Sequence, residues 1–141
     1  MVDTLRHREW FEMAKKDMKS AEILFEHDAD NGIICFHCQQ AIEKSLKGFL
    51  ISVTGVLQEG HSLVKLCKKA ASHNQLFSDM LKNMAFVSTY YIETRYPAED
   101  PLQVSKEDAA ECMAISKKVI GMVEELLPPI LNSRQRKDNN T

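Results

Sequence analysis

Hydrophobic residues recur along most of this chain at intervals of three and four, the spacing that one face of an α-helix produces. The first such stretch predicts a helix from about Thr4 to about His27. Its apolar positions are Trp10, Ala14, Met18, Ala21 and Phe25. Asp17 lies within this apolar stripe, which is an unusual position for a carboxylate.

The same periodicity and the breaks between its segments predict the rest of the fold. We predict a second helix over about Ile33–Val53, ended by Gly55, and then a short helix capped by His61 or Ser62. A further helix is predicted over about Leu76–Thr94, where Pro97 stops it. The last predicted helix begins at Ser105 and ends at Pro128. No strand-like alternation is present. The sequence therefore predicts an all-α, up-and-down bundle of four longer helices plus one short helix over residues 1–131, followed by a disordered polar tail at 132–141.

The second predicted helix carries one narrow row of polar residues on an otherwise hydrophobic cylinder. The segment is FHCQQAIEKSLKGFL at 36–50, and the row consists of His37, Gln40, Glu43, Lys44 and Lys47. At 100° per residue these side chains fit within a sector of roughly 120°. Two interpretations stand: an ordinary solvated face supported by pairs four residues apart, or the wall of a cleft. Asp17 is the expected partner of Lys44 or Lys47, and this pairing would make part of the row structural.

A second polar feature follows at the predicted end of the fourth long helix. Arg95 stands there with Tyr91 and Tyr96 on either side of it in sequence. A guanidinium binds phosphate well and a tyrosine ring can stack on a base or form a dimer contact, but an arginine at a helix end also serves as a simple cap. Both interpretations remain open on the sequence alone.

Composition and cysteine spacing restrict the function classes. The chain has 141 residues, 44% of them hydrophobic and 27% charged, with a formal charge of −2, which argues against a general polyanion binder. Cys35 and Cys38 form a CxxC on the apolar side of a helix without a second pair, so we predict buried, reduced thiols and no metal or other cofactor. Because no signal or membrane-spanning pattern is present, we predict a cytoplasmic protein without a membrane partner.

Taken together, these segments resemble the HEPN family, the higher-eukaryote-and-prokaryote nucleotide-binding domain. The resemblance rests on Trp10 to Ala21, on residues 36–50, on the Gly60-His61-Ser62-Leu63 segment, and on Tyr91 to Pro97. It implies a helical bundle, often a homodimer, frequently encoded beside a minimal nucleotidyltransferase in a toxin–antitoxin-like unit. Some members are metal-independent RNases whose signature arginine is followed by a histidine after four to six residues.

This chain departs from that signature, because no histidine follows Arg95 and none occurs after His73. A ribonuclease would therefore lack its expected general acid or base. We predict a non-catalytic, dimeric module that binds a nucleotide or RNA phosphate through His37, Gln40, Glu43, Lys44, Lys47, Arg95 and Tyr96, with Asp17 and Tyr91 in support. The alternatives are a regulatory partner of a minimal nucleotidyltransferase and a metal-independent RNase in which His37 replaces the missing histidine.

Overall fold

The computed structural model describes residues 4–90, 97 and 103–128, and within these residues every regular element is helical. The elements are α1 (Thr4–Glu26), α2 (Asn31–Thr54), α3 (Leu63–His73), a 3₁₀ helix (Gln75–Met80), α4 (Leu81–Ser88) and α5 (Lys106–Leu126). The predicted all-α helical bundle is confirmed. The predicted tail at 132–141 and the segment from Tyr91 to Tyr96 lie outside the described residues.

Local sequence signals account for most helix boundaries. The Asp30 side chain accepts a hydrogen bond from the Ile33 N–H and caps α2, and Ser62, rather than His61, caps α3 in the same way. Gly55 ends α2 with a φ of 74°, a left-handed conformation that glycine adopts without steric cost. Ser105 and Asp108 form the reciprocal capping box predicted for α5.

The predicted helix over about Leu76–Thr94 is wrong at both ends, because the α-helix spans only Leu81–Ser88 and residues 89 and 90 form a turn. The segment expected to be helical from about Leu76 begins as a 3₁₀ helix over Gln75–Met80, and the α-helix starts only at Leu81. The Asn74 side chain accepts a hydrogen bond from the Leu76 N–H, so a cap directly after α3 opens this tighter turn. Apolar periodicity identified the segment as helical but could not distinguish these two kinds of helix.

Helix α2 lies at the centre of the bundle and packs against α1, α3, α4 and α5. This position explains its hydrophobic composition, because a helix with neighbours on most sides must bury most of its circumference. The apolar core around it includes Phe11, Ile42, Leu46, Phe77 and Val123, each fully buried. On α1, Phe11 occupies the core while Trp10 is only half-buried, so the predicted apolar stripe is correct except for which aromatic ring points inward.

Helices α1 and α2 are joined by a short turn and approach each other closely at Gly48. A Cβ atom at Gly48 would lie 3.0 Å from the backbone oxygen of His7 and 3.5 Å from the backbone nitrogen of Phe11. The first of these contacts is tighter than ordinary van der Waals separation, so only glycine lets the two backbones come this near. The polar row of α2 consequently faces α1 rather than bulk solvent.

No helix in the described part of the chain combines the length and apolar character needed to cross a membrane.

Candidate functional site

The candidate site is the interface between α1 and the polar row of α2. Asp17 and Glu43 each contact one lysine and one histidine, and the two resulting clusters overlap along α2. We call them the Asp17 cluster (Asp17, His37, Lys44) and the Glu43 cluster (Gln39, Glu43, Lys47, His61). Neither cluster is an ordinary solvated face.

The Asp17 cluster ties α1 to α2. The Lys44 Nζ donates to Asp17 Oδ2 at 2.6 Å, and the His37 Nδ1 lies 3.2 Å from Asp17 Oδ1. Because an ionised carboxylate only accepts hydrogen bonds, the His37 Nδ1 carries the proton in this contact. Both oxygens of Asp17 are therefore engaged, and the predicted partnership of Asp17 with Lys44 is present.

The Glu43 cluster is more deeply buried than the Asp17 cluster and includes a residue from the connection before α3. Glu43 is 4% exposed and Lys47 is 6% exposed, with Lys47 Nζ donating to Glu43 Oε2 at 3.2 Å. The Gln39 amide donates to Glu43 Oε1 at 3.2 Å and accepts from the Gln40 amide at 2.7 Å. His61, in the connection before α3, places its Nδ1 3.1 Å from Glu43 Oε2. These contacts satisfy a carboxylate that would otherwise be costly to bury.

Trp10 lies at the edge of the α1–α2 interface and adjoins a lysine of each cluster. The Lys47 Nζ lies 5.6 Å from the centre of the Trp10 ring, within the range of a cation–π contact. Lys44 borders a shallow cavity of about 330 Å³, whose other walls are Glu9, Trp10 and Met13. Met13 is 45% exposed, so this part of α1 presents apolar surface beside the polar row.

The structure brings together His37, Gln40, Glu43, Lys44 and Lys47 with Asp17, in two adjoining clusters rather than one file. The remaining predicted site residues, Tyr91, Arg95 and Tyr96, lie outside the described residues. Whether Arg95 converges with the two lysines stays a prediction.

Sequence reasoning missed three members of this site: Gln39, His61 and Trp10. Gln39 had a local signal, because it precedes Glu43 by four residues and such pairs face each other on a helix. Trp10 was assigned wholly to the core. His61 had no local signal, because its contact with Glu43 joins positions 18 residues apart across the end of a helix.

The cysteines lie elsewhere in the core, away from the polar row. All four are buried, and burial raises the pKa of Cys38 to about 12 and that of Cys67 to about 11. A thiol–thiol hydrogen bond with Cys35, together with burial, raises the pKa of Cys112. Such protonated thiols are poor nucleophiles and poor metal ligands. Among the described side chains, no group of three or more histidine, cysteine or acidic residues is arranged to hold a metal ion.

Comparison with known proteins agrees with this architecture. The sequence profile of the HEPN domain matches residues 7–126, which is most of the chain. The chain belongs to the HEPN family. The sequence resemblance that predicted this family is confirmed.

Two solved structures share the HEPN fold with this chain. The protein TT1696 from Thermus thermophilus superimposes with a TM-score of 0.76 at 29% identity, covering 85% of this chain and 97% of that one. ST0689, described as an archaeal HEPN homologue, gives a TM-score of 0.70 at 23% identity over 86% and 98% of the two chains. A curated relative from Methanocaldococcus jannaschii, named "Putative toxin MJ1304", is 24% identical over 130 residues, which cover 81% of this chain and 83% of the relative.

The charges of the site largely cancel within the fold. With neutral histidines, the positive charges of Lys44 and Lys47 are matched by the negative charges of Asp17 and Glu43. A phosphate entering this HEPN interface would compete with both carboxylates for the same ammonium groups. The described residues therefore form a connected polar interface that fixes α1 on α2, with a partly apolar cavity at its outer edge.

Proposed function

We propose that this chain is the HEPN member of a toxin–antitoxin-like pair, and that it acts by binding a protein partner rather than by catalysis. The family membership and the likeness to the M. jannaschii relative that bears a toxin name support the pair. One observation supports a binding role over catalysis: each lysine of the polar row bonds to a carboxylate of the same chain, so neither ammonium group is free for a reacting substrate. The partner that the HEPN resemblance implies is a minimal nucleotidyltransferase.

The outer surface of α1 supports a protein partner. Met13 and Ile23 are each 45% exposed, and Trp10 is half-buried beside Met13. Aromatic residues and methionine are enriched in protein–protein interfaces, whereas lysine and glutamate are depleted there. A second copy of the chain is the other expected partner, as homodimers are frequent in the family.

The absence of a histidine after Arg95 supports a non-catalytic role. The last histidine of the chain is His73, and His37 already uses its Nδ1 to contact Asp17. In-line attack by a ribose hydroxyl needs a group that takes up the proton and another that protonates the leaving oxygen. Catalysis through His37 would have to proceed from its Nε2 alone.

Co-expression tests the proposal directly. The chain is co-expressed with a minimal nucleotidyltransferase encoded beside its own gene, and the complex is recovered by affinity purification and sized by light scattering. Met13→Asp is expected to weaken recovery of the complex, because it places a charge in the proposed contact. Leu76→Asp is the matched control, since Leu76 is 58% exposed on the 3₁₀ helix, away from α1. The proposal fails if no such gene is adjacent and no complex forms, or if both variants weaken it equally.

A nucleotide or RNA phosphate ligand is the second candidate. It is favoured by one observation: Lys44 and Lys47 both approach Trp10, so cationic groups and an aromatic ring stand together. A base could stack on the ring while a phosphate draws the lysines from their carboxylates, and Arg95 and Tyr96 would supply the additional donor and ring.

Calorimetric titration with ATP, GTP and a short RNA separates this candidate from the first. Lys44→Ala combined with Arg95→Ala is expected to abolish a saturable signal, whereas Lys68→Ala, an exposed lysine of α3, leaves it unchanged. An absent signal, or one that the double variant retains, rejects the phosphate site.

A further inference from the structure

The cavity beside Trp10 has a chemical character that the polar row does not explain. It is shallow, encloses about 330 Å³, and is walled by Glu9, Trp10, Met13 and Lys44, with more apolar than polar surface. A cavity of this size can admit a single flat side chain. Its charges and its apolar surface indicate which kind of side chain it can bind.

The charge balance of the cavity favours a cation. Lys44 is already neutralised by Asp17 at 2.6 Å, and Lys47, over the Trp10 ring, is neutralised by Glu43 at 3.2 Å. Glu9 is exposed and forms no ion pair within the part of the chain that the structure describes. Among the described residues that line this cavity, Glu9 is therefore the charged group without an ion-pair partner.

The surfaces favour a guanidinium over an ammonium. An arginine side chain can lie flat on an indole ring, present a fork of donors to a carboxylate, and pack its methylene groups on a thioether. Trp10, Glu9 and Met13 supply the ring, the carboxylate and the thioether in that order. An ammonium is a compact, strongly hydrated charge and would use the carboxylate but little of the ring.

We propose that this cavity is the docking site for an arginine side chain of the protein partner, an assignment that rests on the proposed function. The arginine stacks on Trp10 and pairs with Glu9. The adjoining exposed side of α1 carries both signs of charge, because Glu9 and Glu12 lie there beside Arg8 and Lys16, and Glu12 pairs with Lys15 at 3.1 Å. This surface therefore specifies the arginine itself and not a basic neighbourhood around it.

Trp10 is the only tryptophan of the chain and reports directly on the cavity. N-acetyl-argininamide is titrated into the full chain at constant ionic strength while the indole N–H resonance and the tryptophan fluorescence are followed. N-acetyl-citrullinamide, which has the same shape without the charge, is titrated in parallel. AMP serves as the probe for a phosphate ligand.

We expect a saturable shift of the Trp10 signals in the millimolar range with the arginine probe and none with the citrulline probe. Glu9→Gln should weaken the apparent affinity about threefold, the scale of an exposed charge pair. Glu26→Gln, which removes an exposed carboxylate at the far end of α1, should leave the affinity unchanged. Neither substitution alters the core, so circular dichroism should show the wild-type fold for both variants.

The arginine site is overturned if the Trp10 signals do not saturate, if citrulline shifts them equally, or if Glu9→Gln has no effect. It is also overturned if AMP produces the larger saturable shift and displaces the arginine probe, an outcome that supports the phosphate candidate. These results do not depend on complex formation. If the complex assembles but no arginine occupies the cavity, only the arginine site is refuted. If no complex forms at all, the proposed function is refuted.

Discussion

Replacing Gly48 by alanine tests the close contact on which the α1–α2 interface depends. The new Cβ would lie 3.0 Å from the His7 backbone oxygen and 3.5 Å from both the Phe11 backbone nitrogen and the Trp10 Cβ. Two of these three neighbours are backbone atoms of α1, which cannot rotate away as a flexible side chain can. The helix must therefore move outward by a few tenths of an ångström along a tightly packed seam.

The magnitude follows from two opposing effects. Alanine stabilises a helix interior over glycine by about 1 kcal/mol. Overpacking a well-packed interior costs about 1–3 kcal/mol. The net change in the free energy of unfolding for Gly48→Ala is thus a loss of roughly 0–2 kcal/mol.

Gly121→Ala is the matched control in α5. A Cβ at Gly121 meets no heavy atom of the described residues within 4 Å, so the substitution should gain the full helix-propensity term of about 1 kcal/mol. The two alanine variants should consequently differ by about 1–3 kcal/mol, or about 3–10 °C in Tm for a chain of this size.

Urea unfolding monitored by circular dichroism at 222 nm measures both variants beside the wild type, and the m-value checks that unfolding remains two-state. Trp10 fluorescence should change in the folded state of Gly48→Ala alone, because that ring adjoins the new methyl group. If Gly48→Ala proves as stable as Gly121→Ala, the two backbones are not in contact and the register of the polar row is wrong.

Three further predictions address the polar clusters, the thiols and a helix cap. Glu43→Ala should destabilise the fold by about 3–5 kcal/mol because it leaves a buried ammonium unpaired, whereas Glu43→Leu combined with Lys47→Met should recover most of that loss in the same urea assay. Burial raises the pKa of Cys38 from 9.0 to about 12 and that of Tyr90 from 10.0 to about 12. The stability of the fold should therefore be intact below pH 9 and fall as the pH rises toward 12, which Tm measured against pH would show. A Tm that stays constant over this range would contradict the burial of these groups. Ser105→Ala removes the N-cap of α5 and should cost about 1 kcal/mol, and an unchanged unfolding midpoint would show that the capping box contributes nothing.

The sequence predicted the helices well because their signals are local. Asp30, Gly55 and Ser105 act within a few residues of themselves, and the apolar spacing reports which side of each helix is buried. The pairing of Asp17 with the polar row was also predictable, since a carboxylate inside an apolar stripe requires a partner. How deeply Glu43 and Lys47 are buried was not, because depth depends on which helix covers them.

The site residues that the sequence did not predict are placed by contacts between positions distant in sequence. His61 reaches Glu43 only because the connection after α2 folds back along that helix. Trp10 lies at the edge of the core because Phe11, its neighbour, takes the inner position beside Gly48, where the helices are closest. A periodic pattern cannot choose between two adjacent aromatic rings, and that choice placed the indole at the proposed docking cavity.

Two independent features fix the register of α1 against α2, and their combination bears on function. The first feature is the contact of Asp17 with His37 and Lys44. The second lies about two turns away along α1, where the backbone near His7 and Phe11 packs closely against Gly48. A slip of one helical turn, about 5.4 Å, would break both the ion pair and the backbone fit. Buried and half-buried ion pairs add little net stability, but their loss in an alternative register is costly, so they act chiefly to exclude that register. The same register holds Glu9, Trp10 and Met13 in a fixed arrangement on the outer surface of α1. If a partner binds as proposed, this fixed arrangement would reduce the entropy lost on binding and would let one well-placed arginine contribute to specificity.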